Sequence, residues 1–130
     1  MEKIASSFSG GRSSAVMTQF VLQKYPNAEI QITFANTGFE HKDTLRFVND
    51  CDRHLFGGRV VWIEAVVNPT AGEGVGFKVV NYQTAARNGE PYIAGVRKYG
   101  LWNQTNSSCT ARLKIEPMQR YLKTKGFFRG

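Results

Sequence analysis

Six consecutive residues, Ser9-Gly10-Gly11-Arg12-Ser13-Ser14, bring together what an anion needs. Glycines let backbone N–H groups approach a bound group closely, serine hydroxyls add donors, and Arg12 supplies a full positive charge. A helix beginning at Ser13 would add the partial positive charge of its first turn. The chemistry is phosphate or sulfate binding; the same residues also read as a Gly-Gly turn with a serine capping the helix. Asn36-Thr37-Gly38 places further polar groups where a second strand ends, and it equally makes a strand-terminating turn. Lys114, at the start of a last helix, is unfavourably placed for stability yet well placed to reach a phosphate or sulfate; otherwise it is a solvated lysine. Cys109 is a candidate nucleophilic thiolate in the same positive surroundings, or an inert, partly buried thiol.

Other polar and aromatic residues read more simply. Cys51 falls on an apolar helical stripe and Trp62 within a strand, so both are expected in the core. His54 suits a helix C-terminus, and His41 is a candidate polar group at the site. Arg97, Lys98, Tyr99 and Trp102 interleave charge with aromatic rings, which can stack a base, although anchoring a loop is the simpler reading.

The elements that must position these residues are legible in the periodicity. Ile4–Phe8, Ile30–Ala35 and Val60–Ala65 read as strands. A helix from Ser13 to Lys24, stopped by Pro26, separates the first two strands, and one from about His41 to Leu55 separates the next two. Strand, helix, strand, helix, strand is the pattern of a parallel sheet with helices on its faces, so the expected class is α/β. Polar residues at the carboxyl ends of such strands would gather at a topological switch point. After Val67, Gly72, Gly74 and Gly76 predict a mobile loop, Val79–Arg87 a short helix, Asn88–Pro91 a turn and Tyr92–Ser108 an irregular segment. Ile115–Lys125 reads as the last helix, with Pro117 in its first turn.

Composition bounds the function. The chain has 130 residues, with 17 Lys and Arg against 10 Asp and Glu, hence a net charge of +7. One compact domain over residues 1–130 is expected at this length. No apolar run approaches the ~20 residues of a membrane span and no signal-peptide core follows Met1, so the default compartment is the cytoplasm. Two cysteines outside any Cys-x-x-Cys pair exclude a disulfide framework and a structural four-cysteine metal centre within one chain, and no metal site is expected. The positive balance implies an anionic partner or, equally, a solvated surface.

The first loop has neither the Gly-x-x-x-x-Gly-Lys-Ser/Thr nor the Gly-x-Gly-x-x-Gly pattern. It resembles the Ser-Gly-Gly-x-x-Ser loop of the PP-loop, adenine nucleotide alpha-hydrolase-like proteins, and among them the phosphoadenosine phosphosulfate reductase family. Phe34-Ala35-Asn36-Thr37-Gly38-Phe39-Glu40, Thr44–Val48 and Cys109-Thr110-x-x-Leu113-Lys114-x-x-Pro117 resemble that family's later motifs, in the same order. The resemblance is dense over Ile4–Ala65 and Ser108–Leu122 and weak between Val66 and Ser107.

It implies a three-layer αβα domain with a mostly parallel sheet, Rossmann-like and of the HUP/PP-loop type. It further implies an adenine nucleotide, phosphoadenosine phosphosulfate or ATP, held by Ser9, Gly10, Gly11, Arg12, Ser13, Ser14, Asn36, Thr37, Gly38 and Lys114. The implied activity is sulfonucleotide reduction to sulfite with thioredoxin as partner. The open alternatives are a noncatalytic module for a nucleotide or nucleic acid and an ATP-pyrophosphatase-like activator in a thiolation pathway; a homo-oligomer is compatible with each. Two departures stand out. Arg12 and Ser13 replace the family's Lys and Asp, which removes a carboxylate that could hold magnesium. The sequence also ends at Phe127-Phe128-Arg129-Gly130 without the reductases' Glu-Cys-Gly tail, so little thioredoxin-dependent sulfite release is expected, and Cys109 is the candidate thiol only if the chain reduces the sulfonucleotide unaided.

Overall fold

The computed structural model describes residues 2–38, 40–68, 74–99 and 111–127. The elements are β1 (Lys3–Ser7), α1 (Arg12–Lys24), β2 (Glu29–Asn36), α2 (Lys42–His54), β3 (Val60–Val67), β4 (Val75–Val80), α3 (Glu90–Tyr99), a π-helical turn (Ala111–Ile115) and α4 (Glu116–Thr124). Cys109, Trp102, Gly72 and the side chain of Tyr99 lie outside the described residues, so the expectations placed on them do too.

β1 to β4 lie in sequence order, β1–β2 and β2–β3 parallel and β3–β4 antiparallel. This is an α/β fold with a mostly parallel sheet. Because the order never reverses between β1 and β2, the described sheet has no switch point there, contrary to expectation. The first loop and the Asn36–Gly38 turn are instead neighbours at the ends of adjacent strands.

Alternation along the strands builds the layers. Ile30, Ile32, Phe34, Val60 and Trp62 face α1 and α2, packing on Phe8, Ala15, Leu45, Val48, Cys51 and Phe56. The opposite face presents Val61, Ile63 and Phe77 to Met118, Tyr121 and Leu122 of α4. Edge-on aromatic pairs, Phe8–Phe56 at 5.5 Å and Phe34–Trp62 at 5.1 Å between centroids, lock the first layer. Cys51 and Trp62 are in this core, and His54 is in the last turn of α2.

Two segments differ from the sequence reading. Val79–Arg87 is not a helix. Val75, Phe77 and Val79 alternate at period two, and as β4 they pair with β3, with Val75 fully buried and Val79 exposed. Asn81 then ends the strand: its Oδ1 accepts from the N–H groups of Gln83 and Thr84, while its own N–H donates to Thr84 Oγ1. The segment after Asn88 is α3 rather than a turn and irregular chain. Pro91 sits in the helix's first turn, where its missing N–H costs nothing, and Glu90 Oε1 accepts the N–H of Asn88.

Candidate functional site

The first loop is held open by packing. Phe8, 1% exposed, is anchored in the core and donates its N–H to Thr33 O at 2.8 Å. The N–H of Ser9 then donates to Ser14 Oγ at 2.8 Å, closing the loop. Gly10 turns the chain with φ +84°, and a Cβ there would lie 2.8 Å from Thr44 Cγ2 and 3.2 Å from Val48 Cγ2, so the loop rests directly on α2. Gly11 is the N-cap of α1; no side chain caps the helix and no acidic residue occupies its first turn. Among the described residues, no hydrogen bond runs from the N–H groups of Gly10, Gly11, Arg12, Ser13 or Ser14 to protein. Five backbone donors and Arg12 therefore belong to one loop at the positive end of a 13-residue helix, and among the described residues none of the five N–H groups has a protein acceptor. Helix starts are normally capped, and an uncapped one rich in Ser and Gly is built for an anion from outside.

The second polar group sits one strand away. Asn36 is fully buried, its Nδ2 donating to Glu64 Oε2 at 2.7 Å and to Ala86 O at 2.9 Å, while its Oδ1 accepts from the N–H of Gly38 at 3.2 Å. Asn36 is thus occupied in fixing the turn, and what it offers a ligand is the position of Thr37 and Gly38. The segment 86–90 crosses over that turn: Gly89 N–H donates to Gly38 O at 3.0 Å and Tyr92 N–H to Thr37 O at 3.2 Å. Lys114 lies in the π-helical turn with Nζ 3.7 Å from Glu40 Oε1, a partly exposed ion pair just past the same turn.

Glu64 was missed by sequence reasoning. It is 1% exposed, and its Oε2 also accepts the N–H of Ala86 at 2.6 Å. The available signal was a single carboxylate inside Val-Val-Trp-Ile-Glu-Ala-Val-Val, since a charge in a buried strand persists only when paired. His41 is the N-cap of α2, its Nδ1 accepting the N–H of Asp43 at 3.0 Å, which accounts for it without a ligand. A cavity of about 360 Å³ among Leu22, Tyr25, Pro26, Leu55, Phe56 and Arg59 lies where β2 and β3 begin, the opposite end of the sheet from these groups. Among the described residues no three His, Cys, Asp or Glu side chains gather as a metal site, and no helix is long and apolar enough to cross a membrane.

Cys51 is 4% exposed, and burial, reinforced by the charge of Asp50, pushes its thiol above the ordinary value. Burial likewise raises Tyr121. Folding then favours both neutral forms: this contribution to stability is complete below the unfolded values and is lost as pH climbs through the folded ones. The melting temperature is expected to fall as pH rises above about 9, and Cys51 should react with a disulfide reagent at neutral pH far more slowly in native than in urea-unfolded protein. Equal rates would place Cys51 at the surface.

Comparison with known proteins follows the same geometry. The family model of the phosphoadenosine phosphosulfate reductase domain matches residues 3–129. The chain belongs to this family. The chain is 33% identical over 119 residues to the uncharacterized nin region protein ORF290 of Escherichia phage lambda, an alignment covering 88% of this chain and 41% of that protein. It is 26% identical over 116 residues to the uncharacterized protein MJ0066 of Methanocaldococcus jannaschii, covering 89% of this chain and 19% of that one. The chain therefore spans less than half the length of either relative. No solved structure matches it.

Proposed function

We propose that this domain binds an adenine nucleotide with a phosphate or sulfate group seated on the Ser9–Ser14 loop. The observation that carries the reading is the set of backbone donors from Gly10 to Ser14, free of protein acceptors at an uncapped helix start beside Arg12. Thr37 and Gly38, held by Asn36, and the Glu40–Lys114 pair supply the next polar surface along the strand ends. Family membership supports an adenine nucleotide, phosphoadenosine phosphosulfate or ATP, as the ligand.

Reduction of a sulfonucleotide needs a thiolate to attack sulfur, forming a sulfur–sulfur bond as the nucleoside bisphosphate leaves; a thioredoxin dithiol then releases sulfite and is itself oxidised. Cys51, buried and with a raised pKa, is unsuited to that attack, and within these 130 residues Cys109 is the remaining candidate. Sulfite release from phosphoadenosine phosphosulfate with thioredoxin, compared in Cys109→Ser and Cys51→Ser, tests this assignment; loss in the Cys51 variant alone would contradict it.

The binding claim is tested by thermal shift with AMP, ATP, adenosine phosphosulfate and phosphoadenosine phosphosulfate. At least one is expected to raise the melting temperature in a dose-dependent way. Stabilisation by no mononucleotide, together with salt-sensitive binding of a polynucleotide, would replace the reading with a nucleic-acid module drawing on the +7 charge.

A further inference from the structure

α1 is apolar on both sides. Ala15 and Thr18 are buried, and Val21 and Leu22 pack on the core, which is the stripe a surface helix should cover. The outer face carries Val16, Met17 and Phe20, which are 66%, 61% and 53% exposed. Val16 and Met17 stand four and three residues before Phe20, so the three side chains form one continuous patch. A helix that is apolar all round is normally covered on both faces. The described residues leave this face open.

The patch runs on into a hollow. Lys24 Nζ lies 5.6 Å from the ring centres of both Phe20 and Tyr25, and Tyr25 lines the cavity of about 360 Å³ that it shares with Leu55 and Arg59. Leu55 is itself 46% exposed. A hollow beside an exposed apolar face is where a partner seats an anchoring side chain. The charges narrow the partner's chemistry. Among the described residues neither Lys24 nor Arg59 makes an ion pair, and α1 contains no Asp or Glu. Glu2 lines the next hollow, beyond Tyr25 and Pro26, and bounds this positive surface. Unpaired cations around an apolar face complement carboxylates. A second copy of α1 would bring cations against cations and offer no acid in return. A bilayer surface cannot follow the hollow, whereas a side chain can. We propose that this surface docks an acidic, amphipathic peptide segment of a partner protein, with an apolar side chain in the hollow and carboxylates on Lys24 and Arg59.

The test is selection from a displayed random library of peptides of about 16 residues, ~24 Å long if helical, on the immobilised protein. The selected peptides are then synthesised and titrated by fluorescence anisotropy. They are expected to combine net negative charge with large apolar residues. Phe20→Ser and Lys24→Glu should each weaken them about tenfold or more. Both side chains face solvent, so neither change should lower the melting temperature appreciably. A peptide with its carboxylates exchanged for lysines should bind Lys24→Glu better than wild type. Arg12→Ala, ~12 Å along the helix from Phe20, should leave binding unchanged, which separates this surface from the Ser9–Ser14 loop. Neutral or basic peptides, acidic ones that depend on Arg12 and not on Phe20, or selection of none would overturn the proposal. A dimer in sedimentation that Phe20→Ser dissociates, or binding to phosphatidylserine vesicles that the same change abolishes, would replace the partner with a second copy or a membrane.

Discussion

Gly38→Ala is expected to cost about 3 kcal/mol of stability, the sum of a left-handed conformation, ~1–2 kcal/mol, and a steric conflict in a packed region, ~1–3 kcal/mol. Gly38 has φ +93°, and a Cβ there would stand 2.9 Å from Gly89 Cα and 3.1 Å from Glu90 N. These are backbone atoms, which cannot rotate aside as a side-chain tip can. In a domain of this size the melting temperature should drop by roughly 10 °C or more. Gly57→Ala is the control: φ is +64° but nothing lies within 4 Å of the added Cβ, so only the conformational cost of about 1 kcal/mol applies. Because the segment 86–90 is bonded to the Thr37–Gly38 turn, the Gly38 variant should also lose nucleotide affinity, and the Gly57 variant should not. Equal thermal effects at the two positions would show that the crossing of Gly38 and Gly89 is loose.

Arg12→Ala is expected to weaken nucleotide binding by about 1.5–3 kcal/mol, roughly ten- to 150-fold, the range for a charge-assisted hydrogen bond. The same variant should leave the free protein as stable or slightly more so. A cation in the first turn of α1 opposes the helix dipole by ~0.3–1 kcal/mol, and Arg12 makes no ion pair among the described residues that would offset this. Affinity and stability therefore move in opposite directions, which a merely structural arginine would not produce. Unchanged affinity, by titration calorimetry, would remove Arg12 from the site.

The parts of this molecule that were legible in its sequence are those whose cause is local. β1, α1, β2, α2 and β3 follow from apolar spacing over a dozen residues, and their ends fall within about two residues of the reading. The Ser9–Ser14 loop was legible for the same reason, since its glycines, serines and arginine are adjacent. β4 was hidden because Gly74 and Gly76 look like loop while the evidence for a strand, its pairing with β3, is a tertiary contact. α3 was hidden because Pro91 reads as a turn unless it is known to stand at a helix start. The bonds from Glu64 to Asn36 and to the N–H of Ala86 join residues 28 and 22 positions apart, so no local pattern announces them. The family resemblance implied a ligand role for Asn36, and the structure shows its buried side chain holding Gly38.

The central claim is that the N–H groups from Gly10 to Ser14 are donors for the anionic group of a nucleotide. The most direct measurement is a titration of uniformly ¹⁵N-labelled protein with AMP, following the backbone amide resonances. The account predicts saturable shifts that are largest at Gly10, Gly11, Arg12, Ser13 and Ser14, moving downfield as those donors gain an acceptor. Saturable shifts elsewhere, with these five amides unmoved, would contradict it.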